Sequence, residues 1–157
     1  MLFYTGIGSR ETPADVLATM KRIAEAMALK GWTLRSGAAP GADSAFEAGA
    51  GGLKEIYVPW KGFNGSDSTL LPTPEAFELA AQFHPAWNRC KRGAKALHAR
   101  NGHQVLGHDL KTPSNLVICW TKDGLRGGGT GQALRIAEHH GILIHDLGLS
   151  EIRKLYL

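Results

Sequence analysis

Three glycine-rich segments of the chain carry the residue types that bind phosphate in proteins. They are 6–10, Gly-Ile-Gly-Ser-Arg; 36–41, Ser-Gly-Ala-Ala-Pro-Gly; and 127–131, Gly-Gly-Gly-Thr-Gly. Glycine allows close backbone approach, and unpaired amides at a helix N-terminus attract anions. The first segment lacks the third glycine of a dinucleotide fingerprint, and no Lys-Ser/Thr follows the last one, so ordinary NAD binding and a Walker loop are excluded. The predicted ligand- or phosphate-binding residues are Gly6, Gly8, Ser9, Arg10, Ser36, Gly37, Gly41, Gly128, Gly129, Thr130 and Gly131.

Two carboxylates follow the second glycine segment. Asp43 and Glu47 are four residues apart, so both can project from one face of a helix. They are the candidate catalytic residues, as acid and base or as partners of ribose hydroxyls. The alternative is that Asp43 caps the helix and Glu47 lies on a solvated face.

A basic stretch between Glu78 and Asp109 has no acidic residue. With Trp87 nearby, such residues suit phosphate neutralisation and base stacking, although a solvated basic helix has the same composition. Alternatively, Arg100 and Asn101 turn inward to the ligand. The candidate nucleic-acid contacts are Arg89, Lys91, Arg92, Lys95 and Arg100.

The elements that must position these residues alternate between short apolar runs and helical patterns. We predict strands near 2–7, 32–35, 55–58, 115–121 and 142–144, and a terminal helix over 151–157. This order predicts an α/β, Rossmann-like doubly wound fold of about five mainly parallel strands with helices on both faces. The first and fourth strands should be neighbours at the topological switch point, with all three glycine segments at the carboxyl edge. We predict that residues 1–157 form one domain, with a helical insertion at 61–114 between the third and fourth strands. The second helix of the insertion should run from about 86 to 100.

Composition narrows the class of protein. The chain is 43% hydrophobic and 20% charged, its net charge is +4, and 20 of its 157 residues are glycine, against a usual share of about 7%. Two cysteines do not make a disulfide framework, and no apolar run is long enough to cross a membrane. We expect a cytoplasmic protein with no membrane association. No His-x-x-x-His or Cys-x-x-Cys spacing occurs, so we predict no metal and no cofactor.

The second and third glycine segments resemble those of a known superfamily. Residues 34–45, Leu-Arg-Ser-Gly-Ala-Ala-Pro-Gly-Ala-Asp-Ser-Ala, are similar to the signature of the DNA-processing protein A family. Residues 128–131, Gly-Gly-Thr-Gly, resemble the second glycine loop of the wider SLOG superfamily, which includes the lonely-guy phosphoribohydrolases. The compact chain looks like the small SLOG proteins of bacteriophages, on the basis of His84-Pro85-Ala86-Trp87, Arg100-Asn101 and Cys119-Trp120-Thr121. This likeness implies the host cytoplasm. The glutamate that helps the lonely-guy enzymes cleave base from ribose is replaced here by Leu134 or Arg135, so Asp43 or Glu47 would have to supply the carboxylate.

The resemblance implies a protein that binds a small phosphorylated, nucleotide-like ligand at the carboxyl edge of the sheet. If it is an enzyme, the implied reaction is N-glycosidic hydrolysis of a nucleoside 5′-monophosphate. The alternatives are a single-stranded DNA-binding or recombination-mediator module and a non-catalytic nucleotide sensor. Relatives imply a homodimer.

Overall fold

A five-stranded parallel sheet forms the centre of the molecule, as described by a computed structural model of residues 1–156. The strands lie in the order β3-β2-β1-β4-β5, and every neighbouring pair is parallel. The predicted doubly wound α/β class is confirmed, and β1 and β4 are neighbours as expected. The strands are β1 (Phe3–Gly6), β2 (Thr33–Ser36), β3 (Lys54–Ile56), β4 (Leu116–Cys119) and β5 (Leu143–Asp146). The α-helices are α1 (Ala14–Leu29), α2 (Ala42–Ala50), α3 (Pro74–Gln82), α4 (Arg92–Leu106), α5 (Gly128–His139) and α6 (Ser150–Arg153).

Helices cover both faces of the sheet because the buried strands are apolar on both sides. On β4, Ile118 packs into the core that α1 and α2 share, whereas Val117 and Cys119 pack into the core that α4 and α5 share. Such two-sided burial is what a continuous apolar run predicts for a central parallel strand. Helix α2 lies close to α1 because Gly49 has no side chain where it meets the backbone of Lys21.

The segment between β3 and β4 is helical as predicted, but its second helix is displaced along the chain. The expected helix over 86–100 is replaced by a 3₁₀ turn at Trp87–Arg89 and by α4, which starts at Arg92. Helix α4 continues to Leu106 and ends at Gly107, whose φ of 82° favours glycine. Its last turns are buried against the sheet layer, so α4 is the crossover helix of the fold, while α3 packs on its outer side.

The C-terminal segment follows β5 as the short helix α6 and a 3₁₀ turn at Lys154–Tyr156. The last residue of the predicted helix over 151–157 lies outside the described residues. Within residues 1–156, no helix combines the length and the apolar character needed to span a membrane.

Candidate functional site

A cleft lies at the carboxyl edge of the sheet, at the switch point between β1 and β4. It has a volume of about 470 Å³. Ligands of open α/β sheets bind at this position. Its walls come from the loop after β1, the start of α2, one face of α4 and the start of α5, so the cleft lies among all three predicted glycine segments. The lining residues are Ile7, Gly8, Ser9, Arg10, Glu11, Ala39, Asp43, Ala94, Leu97, His98, Arg100, Asn101, Gln104, Gly127, Gly128, Gly129, Thr130 and Ala133.

The start of α5 offers backbone amides to this cleft. Within residues 1–156, the amides of Gly128, Gly129 and Thr130 donate no hydrogen bond, and the first helical bond runs from Gly131 N to Gly127 O (3.1 Å). A Cβ atom added to Gly129 would meet nothing within 4 Å. These groups combine unpaired donors with the positive end of the helix dipole, which is the physical basis of an anion site.

Other predicted glycines are needed for packing within the protein. A Cβ on Gly6 would overlap Phe46, and one on Gly8 would come 2.7 Å from the Ala42 side chain. A Cβ on Gly37 would lie 2.7 Å from Arg100 Nη1, and at Gly131 it would collide with the Arg126 carbonyl. Gly41 has a φ of 89°, which favours glycine. These glycines bring the loops together, and of the five only Gly8 lines the cleft.

Two predicted site residues are turned away from the cleft. Ser36 is fully buried, and its hydroxyl donates to the Gly6 carbonyl (2.6 Å), so it joins β1 to β2. Glu47 forms an ion pair with Lys54 (3.0 Å) in a separate surface depression. Because β3 brings Lys54 beside α2, the expected shared helical face holds only one carboxylate at the cleft, that of Asp43.

Asp43 is a buried carboxyl group in the wall of the cleft. It is 4% exposed, and its Oδ2 accepts a hydrogen bond from Ala39 N (3.3 Å). Burial raises the pKa of Asp43 to about 6, although the positive charge of Arg100 opposes the shift. Its charge therefore changes close to neutral pH, as suits an acid or base.

Arg100 places a buried guanidinium group beside Asp43. It is 7% exposed, and it donates from Nη1 to the Gly37 carbonyl (2.6 Å) and from Nε to Asn101 Oδ1 (3.1 Å). Burial lowers the pKa of Arg100, Asp43 opposes this, and the nearby positive charge of Arg10 adds to it. Two cationic side chains thus converge on one cleft, which favours an anionic ligand.

Three side chains hold the third glycine segment in place, and of these the sequence analysis singled out only Asn101, as a residue that turns inward. Asn101 Nδ2 donates to the Gly129 carbonyl (3.3 Å) and to Gln132 Oε1 (3.0 Å). Asp146 accepts hydrogen bonds from the Thr121 amide (2.9 Å) and hydroxyl, and that hydroxyl in turn accepts from Arg126 N (3.0 Å). Asp146 ends β5 and Thr121 follows β4, and a polar residue at the end of a buried strand could have identified both from the sequence.

The other predicted basic residues lie outside the cleft, at the start of α4. Arg89, Lys91 and Arg92 are exposed, and Lys95 Nζ lies over the Trp87 ring, 5.3 Å from its centroid. Trp60, 45% exposed, would contact a Cβ on Gly93 in the first turn of α4. Exposed aromatic and basic side chains therefore adjoin the cleft.

The comparisons with known proteins support the fold. No family model and no curated protein sequence matches the chain. Among solved structures, the chain is similar to DNA processing protein A from Helicobacter pylori, described for its unique mode of binding single-stranded DNA, with a TM-score of 0.60 and 17% identity. The match covers 92% of this chain and 64% of that one. The DNA-processing protein A-like fold is thus confirmed, whereas membership of the SLOG superfamily and the phage-type resemblance stay predictions.

Proposed function

We propose that the chain binds a phosphorylated, nucleotide-like ligand in the switch-point cleft. The proposal rests on one observation: the residues with unpaired amides at the start of α5 and the buried Arg100 line the same cleft. The phosphate lies over Gly128 to Thr130, where no side chain interferes. Ala94 and Leu97 on α4 offer an apolar wall to the base and sugar.

The same arrangement supplies one candidate group for N-glycosidic hydrolysis. Asp43 is ionised above its pKa of about 6, and a carboxylate beside the sugar stabilises positive charge that develops as the base leaves. Glu47 is not available for this role because it is paired with Lys54. We therefore assign any turnover to Asp43, with release of free base as its readout.

The substitution Gly129→Asp tests the phosphate position. The new side chain has open space, so the fold should persist, but its carboxylate would occupy the place of the phosphate and repel it. We expect the affinity for thymidine 5′-monophosphate to fall by more than about tenfold, or ~1.4 kcal/mol, in calorimetric titration.

The matched control is Gly52→Asp. Gly52 also has open space around its Cβ position, and it lies in the turn between α2 and β3, away from the cleft. This variant makes the same change in net charge and should bind like the wild type. If Gly129→Asp binds the nucleotide as tightly as Gly52→Asp does, the phosphate does not lie over the start of α5.

The second candidate function is binding of single-stranded DNA, and the exposed Trp60 and basic residues at the start of α4 favour it. Replacing Arg89, Lys91, Arg92 and Lys95 by Gln should weaken binding of oligo(dT). It should also make the plot of log affinity against log salt less steep, by about 3 in the magnitude of its negative slope. Gly129→Asp should leave most of this affinity intact. Unchanged salt dependence in the fourfold variant would exclude this surface as the DNA contact.

A further inference from the structure

Two histidines and a cysteine from one short stretch of the chain, residues 84–98, form a cluster at the end of the cleft. His84 and Cys90 belong to the loop between α3 and α4, and His98 lies two turns into α4 and lines the cleft. One donor atom from each lies within 4.8 Å of those of the other two. All three are half-buried.

The donor set and its spacing match a tetrahedral metal site. Cys90 Sγ lies 3.6 Å from His84 Nε2, and the Zn–S and Zn–N bond lengths of a tetrahedral site place these atoms about 3.5 Å apart. The His84 and His98 ring centroids are 4.5 Å apart. Thiolate and imidazole together favour zinc over the hard cations that prefer oxygen ligands.

The His98 ring has a second polar neighbour besides the cluster. Its Nδ1 is buried, and the Gln132 side chain lies within hydrogen-bonding reach of the ring. A protein group that hydrogen-bonds a ligating imidazole from outside the metal site helps to fix its orientation.

We propose that His84, Cys90 and His98 bind a zinc ion whose fourth position faces the cleft. Binding releases the thiol proton of Cys90 to solvent. His84 now accepts the Ala86 N–H at Nδ1 (3.0 Å), and ligation through either ring nitrogen ends this hydrogen bond. Ligation through Nδ1 uses the accepting lone pair, and ligation through Nε2 requires the ring proton to move to Nδ1. The ion would fasten the loop that carries Arg89 and Lys91 to α4.

Zinc titration of the full chain tests this proposal, after removal of bound metal with a chelator. We expect one zinc per chain by competition with a chromogenic chelator, and with Co²⁺ a thiolate charge-transfer absorbance. Cys90→Ser and His98→Ala should each weaken zinc binding more than tenfold. Cys119→Ala is the control, because that thiol is buried in β4, and it should bind zinc like the wild type.

A second measurement does not depend on the fold of the variants. Zinc should slow the alkylation of Cys90 in the wild-type chain, as followed by peptide mass spectrometry, and magnesium should not. The proposal is overturned if no stoichiometric zinc binds, if alkylation of Cys90 is unaffected, or if folded Cys90→Ser binds zinc as tightly as the wild type.

Discussion

Replacing Asp146 by alanine is expected to cost about 3–5 kcal/mol of the free energy of unfolding, because three hydrogen-bond donors lose their acceptor. Asp146 is 1% exposed, and its carboxylate accepts from three groups: the Thr121 amide, the Thr121 hydroxyl and the Gly148 amide. Alanine would leave the two buried Thr121 donors and the half-buried Gly148 amide without this acceptor. At roughly 2–4 °C per kcal/mol, Tm should fall by about 10 °C in a calorimetric scan.

The same substitution should also weaken ligand binding, although Asp146 does not line the cleft. The Thr121 hydroxyl that it holds accepts from Arg126 N, and Arg126 immediately precedes the glycine segment at the start of α5. Asp67→Ala removes an exposed carboxylate and should leave Tm nearly unchanged. If Asp146→Ala lowers Tm and ligand affinity no more than Asp67→Ala does, Asp146 does not anchor the loop.

Sequence periodicity was sufficient to predict the layers and the order of elements. The apolar run before Cys119 predicted a central strand, and helical spacing after the glycine segments predicted the connections that make the sheet parallel. Because every glycine segment follows a strand of such a sheet, their convergence at one edge also followed from the pattern. That edge contains the cleft.

The boundaries of α4 could not be read in the same way. Its buried face carries Arg100, Asn101, His103 and Gln104, which a pattern of apolar residues does not identify as core. Some of their polar atoms pair with groups distant in sequence, such as the Gly37 carbonyl for Arg100 and Gln132 Oε1 for Asn101. Sequence analysis therefore placed the helix about six residues too early.

Tertiary contacts also decided which polar residues reach the cleft. Ser36 and Glu47 stand at positions suited to a ligand, but the Gly6 carbonyl and Lys54 take up their polar groups. The cluster of His84, Cys90 and His98 has no regular spacing, because the loop after α3 folds back onto α4. Such pairings depend on register and loop path, which local sequence does not encode.

Arg100→Met should reduce the affinity for thymidine 5′-monophosphate by at least about thirtyfold at pH 7.5, because truncating one partner of a buried charge pair costs ~2–5 kcal/mol. Methionine retains the aliphatic bulk but removes a buried cation that lines the same cleft as the unpaired amides of α5. The change also removes the positive charge that opposes the raised pKa of Asp43, so the pKa of Asp43 should rise further. Its carboxyl group should then be protonated to higher pH in the variant.

Two comparisons separate loss of the site from loss of the fold. Arg22→Met removes an exposed cation of α1 and should bind like the wild type, and Arg10→Met, at the exposed rim of the cleft, should lose less affinity than Arg100→Met. Some loss of Tm is expected in Arg100→Met because the Gly37 carbonyl loses its donor. Circular dichroism and Tm identify variants that remain folded at the titration temperature. If folded Arg100→Met binds the nucleotide as tightly as Arg22→Met, the guanidinium of Arg100 does not contact the ligand. The α5 amides would then be the phosphate site without it.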